Sequence, residues 1–205
     1  MDYSFYYLGP YLHMVRVDKE VCDELFKKGL KLRAAKKDKK GFNKYSHNER
    51  LAGQLKEEYS YPTDKWFIKR FQKYVDSYIE GYRRWIGNLS YSPKAEFKNM
   101  WINFQRQYEW NPLHTHTQCT HSFVLYLQIP PEIKKERESF IAETKDAGTI
   151  SFHHGEKREF YADSHNFFPE VGQLFMFPSS LKHMVSPFRS NVERVSVAGN
   201  FVLYD

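Results

Sequence analysis

Cysteine is scarce in this chain. Two in 205 residues, Cys22 and Cys119, stand too far apart for a disulfide framework, and so few thiols fit a reducing compartment. Long apolar runs are missing too: no stretch approaches the roughly 18 residues that a membrane helix needs. The first residues, MDYSFYYLGPYLHMVRVD, hold no basic segment leading into an apolar one, so no secretory leader is expected. These absences predict a soluble, cytoplasmic protein without a membrane partner. No repeat appears, and the one low-complexity segment is the lysine run KKDKK, Lys36 to Lys40, with Lys44 nearby. That run holds much of the excess behind the net charge of +6. It reads as a solvated loop that could steer an acidic partner, and nucleic-acid binding is not expected.

Aromatic residues, by contrast, make up 18% of the chain, most of them Phe and Tyr, which suit half-buried pleated surfaces. The length suits one domain with a sizeable core. Patterning changes near residue 95. Before it, Asp18 can cap a helix through about Leu32, and a second helix is expected from His47 to about Tyr59. A third runs from an N-cap at Thr63 to a stop at Gly87, with apolar residues in steps of three and four from Phe67 to Ile86. Its broad apolar stripe should pack on something flat. After residue 95 the period is two: MWINFQRQYEW, SFVLYLQI, TISFHH, KREFY, QLFMF, HMVSPF and ERVSVAGNFVLY read as strands. Helices followed by strands predict an α+β chain, residues 1–95 helical and 96–205 strand-rich, in one integrated domain.

The densest chemistry lies in NPLHTHTQCTHSF, residues 111–123, with three histidines and a cysteine. His114 and His116 are two apart, so on an extended strand their imidazoles point the same way and can grip one metal ion. The plain alternative is a pair of polar residues at a strand end. Cys119 and His121 follow in what reads as a polar turn. An open site needs a ligand from a distant strand, and His183, just after the break at Pro178-Ser-Ser, is the best placed. His153, His154 and His165 are alternatives. On the last strand Val195, Val197, Gly199 and Phe201 form one face, and Arg194, Ser196, Ala198 and Asn200 the other. Arg194 and Ser196 on a largely apolar strand suit a carboxylate, or else lie solvated at the surface.

Together these segments resemble the iron(II)- and 2-oxoglutarate-dependent oxygenases. Their pattern is H-x-(D/E), a distant histidine, and an arginine about ten residues later followed by x-Ser. His114-x-His116, His183 and Arg194-x-Ser196 stand in that order, with Arg194 eleven residues after His183. NPLHTHTQCTHSFVLYLQIP, GQLFMFPSSLKHMVSPF and ERVSVAGNF look more closely like the prolyl-4-hydroxylase-like branch of marine phages and bacteria. The resemblance covers about residues 100–203. It implies a double-stranded β-helix, or jelly-roll, barrel backed by the N-terminal helices, in the cytoplasm of the host cell if phage-encoded. It further implies a hydroxylase of a protein side chain or a small molecule, with Fe(II) and 2-oxoglutarate and room for ascorbate. His114, His116 and His183 would hold the metal; Arg194 and Ser196 would take the 5-carboxylate of 2-oxoglutarate, with Asn200 on the same face. Asn103 and Tyr126 are further candidates.

One departure stands out: His116 replaces the usual carboxylate. Either three imidazoles hold the metal, or an acid such as Asp163 or Glu170 binds instead of His116. A cupin-type metalloenzyme is a rival, though its first motif wants a glutamate near position 121. A non-catalytic jelly-roll binding module or phage structural protein is another.

Overall fold

The computed structural model describes residues 9–35, 43–47, 51–143 and 145–204; the lysine run 36–40 lies outside them. Helix α1, Lys19–Arg33, buries Val21, Cys22, Leu25 and Leu32 on one side. Asp18 occupies its N-cap position but makes no side-chain cap bond, pairing instead with Lys73. Helix α2, Lys65–Ile86, is capped one residue later than Thr63: the Asp64 carboxylate accepts from the Phe67 N–H at 2.8 Å. Gly87, at φ 70°, ends it in the left-handed conformation that favours glycine. The stripe Phe67, Phe71, Tyr74, Val75, Tyr78 and Ile79 is buried.

Two antiparallel sheets hold the strands β1 (His13–Arg16), β2 (Glu58–Ser60), β3 (Lys94–Gln105), β4 (Asn111–His114), β5 (His121–Gln128), β6 (Ile150–His153), β7 (Ser164–Phe167), β8 (Gln173–Pro178), β9 (Lys182–Val185) and β10 (Arg194–Tyr204). One sheet has six strands in the order β1-β8-β5-β10-β3-β2, the other four in the order β4-β9-β6-β7. The chain is therefore a sheet-rich α+β structure. Ring contacts join α2 to the six-stranded sheet, with Phe71 4.8 Å from Phe123 and Phe67 5.2 Å from Phe97.

Alternation along β10 sorts its side chains. Val195, Val197 and Phe201 join the core that includes the helices, whereas Ala198 joins Trp101, Phe175 and Phe177 against Ile150, Phe152 and Val185 of the smaller sheet. Helices α1 and α2 each also carry a glycine in the interior, which costs about 1 kcal/mol relative to alanine. Close approach accounts for both: a Cβ on Gly29 would lie 2.1 Å from Ile102 Cδ1, and one on Gly81 2.0 Å from the Tyr11 hydroxyl.

Three expectations change. The helix expected over residues 47–59 is not there among the described residues; Glu58–Ser60 is instead edge strand β2, antiparallel to β3. Leu51, Leu55 and Tyr59 imitate helical spacing, but the free edge of β3 offers the backbone a ladder, and Phe104 N–H donates to the Glu57 carbonyl at 3.0 Å. KREFY forms no strand: Phe160 is fully exposed at φ 55°, and strand β7 begins only at Ser164. A third helix, α3 at Pro131–Ser139, was not expected; Pro in its first turn starts it.

Candidate active site

His114 ends β4 and His183 lies in β9, directly opposite it in register. His116 sits two residues beyond β4, tied down where its N–H donates to the Ser179 carbonyl at 3.0 Å. One ring nitrogen from each of the three lies within 4.8 Å of the others. Ring centroids are 4.2 Å apart for His114 and His183, 5.0 Å for His114 and His116, and 5.1 Å for His116 and His183. Backbone carbonyls orient two of them. His114 Nδ1 donates to the Pro112 carbonyl at 2.6 Å, and His183 Nδ1 to the Leu181 carbonyl at 2.9 Å. Such bonds leave Nε2 as the free lone pair, the tautomer a metal requires. Burial keeps the trio neutral: it lowers His114, and with repulsion from neighbouring imidazoles lowers His116 to about 4 and His183 to about 3. Nitrogens about 2.1 Å from one ion lie at most about 4.2 Å apart, so a small inward shift of the rings would admit it.

The other candidates lie elsewhere. His121 opens β5 rather than sitting in a turn, and its ring stacks on Phe201 and meets Tyr78 edge-on, on the α2 side of the sheet. Cys119 offers its carbonyl to the Ser179 hydroxyl. Glu170 pairs with Arg16, while Asp163 shares a small separate pocket with His154 and His165. Among the described residues no carboxylate joins the histidine trio.

Next to the trio, a cavity runs between the sheets to Arg194, lined also by Asn103, Gln105, Tyr126 and Ser196. Arg194 is 3% exposed, yet its partners are neutral: Nη1 donates to the Gly148 carbonyl at 2.6 Å and Nη2 to the Gln105 amide oxygen. The Tyr126 hydroxyl and the Asn103 Oδ1, both buried, have no hydrogen-bond partner among the described residues. Ser196 Oγ accepts from Asn103 Nδ2 at 3.4 Å. Buried polar atoms left in this state cost stability unless a ligand satisfies them. Asn200 is placed differently. Both ends of its amide are engaged, with Ser122 Oγ at 2.8 Å and Asn99 Oδ1 at 2.9 Å, and it lines an outer groove rather than the Arg194 cavity.

That outer groove opens over His114 and His116 and includes His47, Asn99, Asn111 and Glu58. Two residues of this region escape sequence reading. Gln105 is visible only as a polar residue in phase with Asn103 on β3, and Glu58 lies in a stretch whose spacing imitates a helix. Glu58 is fully buried, and burial, reinforced by Glu109, raises its carboxyl from 4.5 to about 7. A pKa raised on folding leaves this group's contribution intact below pH 4.5, and the contribution is lost as pH rises through about 7. Glu58→Gln should remove that alkaline loss, stabilising the protein at pH 8 by roughly 2–3 kcal/mol relative to its effect at pH 5. Denaturant melts at the two pH values measure it; parallel curves for both proteins would contradict the burial argument.

Residues 99–200 match the 2OG-Fe(II) oxygenase family. The chain belongs to that family. It is a 2-oxoglutarate-dependent dioxygenase, with Fe(II) and 2-oxoglutarate as cofactor and co-substrate. Solved structures with a similar fold are known. A viral collagen prolyl hydroxylase from Paramecium bursaria Chlorella virus-1, in its 2OG complex, is 12% identical with a TM-score of 0.56, over 93% of this chain and 95% of that one. A Pseudomonas putida prolyl-4-hydroxylase is 15% identical with a TM-score of 0.55, over 96% and 94%. A Trichoplax adhaerens prolyl hydroxylase, in complex with a hypoxia inducible factor peptide fragment, is 13% identical with a TM-score of 0.56, over 95% and 83%. Sequence comparison with curated proteins gives no match. Among the described residues no helix is long and apolar enough to cross a membrane.

Proposed function

We propose that this dioxygenase is a prolyl-hydroxylase-like hydroxylase of a protein side chain. In this reading the two sheets are the halves of a double-stranded β-helix, residues 1–95 supply its helical backing, and residues 96–205 form the catalytic core of one integrated domain. His114, His116 and His183 hold the iron, and Arg194 with Ser196 takes the 5-carboxylate of 2-oxoglutarate. The observation that carries the assignment is Arg194, a guanidinium buried among neutral partners one cavity away from three inward-facing imidazoles. A non-catalytic module has no use for such a costly cation.

When bound, iron(II) supplies the redox chemistry that couples decarboxylation of 2-oxoglutarate to hydroxylation of a C–H bond. The chain's own residues do the rest. The carbonyls of Pro112 and Leu181 hold the tautomers of His114 and His183. The Tyr126 hydroxyl can donate to a carboxylate next to Arg194, and Trp101 and Phe177 give the ligand pocket apolar walls. The outer groove over His114 and His116 is the route for the primary substrate. Solved relatives that are prolyl hydroxylases, one holding a peptide, support a peptide as that substrate.

The test is succinate formation by purified protein supplied with Fe(II), 2-oxoglutarate and air, with and without proline-containing peptides. Iron-dependent succinate, accelerated by a peptide that gains one oxygen atom, is the expected result. Succinate without any peptide response would move the substrate to another class. Neither succinate nor 2-oxoglutarate binding would overturn the site assignment.

A further inference from the structure

Gln105 and Arg194 face each other in direct register across β3 and β10. Gln105 is 2% exposed, and both ends of its amide are committed. Its oxygen accepts from Arg194 Nη2, and its Nε2 donates to the Glu109 carbonyl. The second bond decides which end of the amide faces the arginine. On the other side the Gly148 carbonyl holds Nη1 at 2.6 Å, and the Tyr126 ring packs with its centroid 5.3 Å from Arg194 Cζ. Among the described residues no carboxylate pairs with Arg194. A glutamate at 105 would be the usual companion of a buried arginine, with the same reach, the same oxygen and full neutralisation of charge. A glutamine gives the oxygen and withholds the charge.

We propose that Gln105 is a positioning residue for the co-substrate: it fixes the Arg194 fork through a neutral oxygen and leaves the positive charge for the 5-carboxylate of 2-oxoglutarate. This inference rests on the reading of Arg194 given above. Charge neutralisation at 105 should weaken anion binding more than loss of the oxygen does, whereas a purely structural glutamine would lose most when both of its hydrogen bonds are removed.

Dissociation constants for 2-oxoglutarate on the Mn(II)-loaded protein, and melting temperatures of the ligand-free protein, test this in Gln105→Glu, Gln105→Leu and Arg194→Gln. Gln105→Glu should bind 2-oxoglutarate ~100-fold more weakly, a larger loss than in Gln105→Leu although the oxygen facing Arg194 is kept. Gln105→Leu, which frees the fork without neutralising it, should lose ~10-fold in affinity and melt lower. Mn(II) affinity should be the same in both Gln105 variants. Wild-type affinity in Gln105→Glu, or a loss there no greater than in Gln105→Leu, would overturn the inference. If Arg194→Gln also binds like the wild type, the assignment of the cavity falls with it. If only Arg194→Gln loses binding, the role of Gln105 falls alone.

Discussion

His183→Ala is expected to lower iron(II) affinity by at least ~100-fold and to bring iron-dependent succinate formation to background. His183 is the most enclosed of the three imidazoles, 5% exposed, and packs between Phe177 at 4.8 Å and Phe152 at 6.1 Å between ring centroids. Its orientation is therefore set before any metal arrives, and among the described residues no further histidine joins the trio. His183→Gln, closer in volume, should lose the metal while melting near the wild type, which separates lost ligation from a packing defect. His116 poses the sharper question, because the family pattern has a carboxylate at that position. Its pKa near 4 means a neutral ring at physiological pH, so three imidazoles would leave the ion's full charge uncompensated by the protein. His116→Ala should lose most metal content and turnover, and His116→Asp should regain metal. A fully loaded, fully active His116→Ala would remove His116 from the ligand set.

Strong periodicity made some of this architecture legible. The apolar stripe of α2 could be read because a long helix pressed on a flat surface repeats one pattern for six turns. Its cap fell one residue off because Thr63 and Asp64 are both good caps, and only the bond to Phe67 N–H distinguishes them. The faces of β10 were equally legible, since both are buried and a polar residue on either stands out. Edge strands were not. β1, β2 and β4 are three or four residues long and owe their conformation to a neighbouring strand, which local sequence does not report. The convergence of His114, His116 and His183 was anticipated from segment order and family resemblance rather than from any local signal. Resemblance could not show that Asn200 turns to Ser122 and Asn99, nor that Gln105 holds Arg194, because both depend on which partner lies across the strand.

Arg194→Gln is expected to weaken 2-oxoglutarate binding by ~1000-fold, since it removes a buried charge-assisted pair with a carboxylate. Two features make the effect large. The cavity is narrow and its other donors, on Asn103, Tyr126 and Ser196, are neutral, and it holds no second cation among the described residues. The same change should raise the melting temperature of the ligand-free protein, because a cation buried against two neutral oxygens is a desolvation cost that glutamine does not carry. Arg194→Lys should fall between, keeping the charge but losing the fork that meets Gly148 and Gln105 together, at a cost of ~10-fold or more. Titration of 2-oxoglutarate into Mn(II)-loaded protein reads the affinities, and calorimetric melts read the stability. Affinity and stability moving in opposite directions would mark Arg194 as a residue kept for its ligand at the expense of the fold. If Arg194→Gln melted lower and bound 2-oxoglutarate normally, the guanidinium would be a structural strut and the co-substrate would have to be held elsewhere.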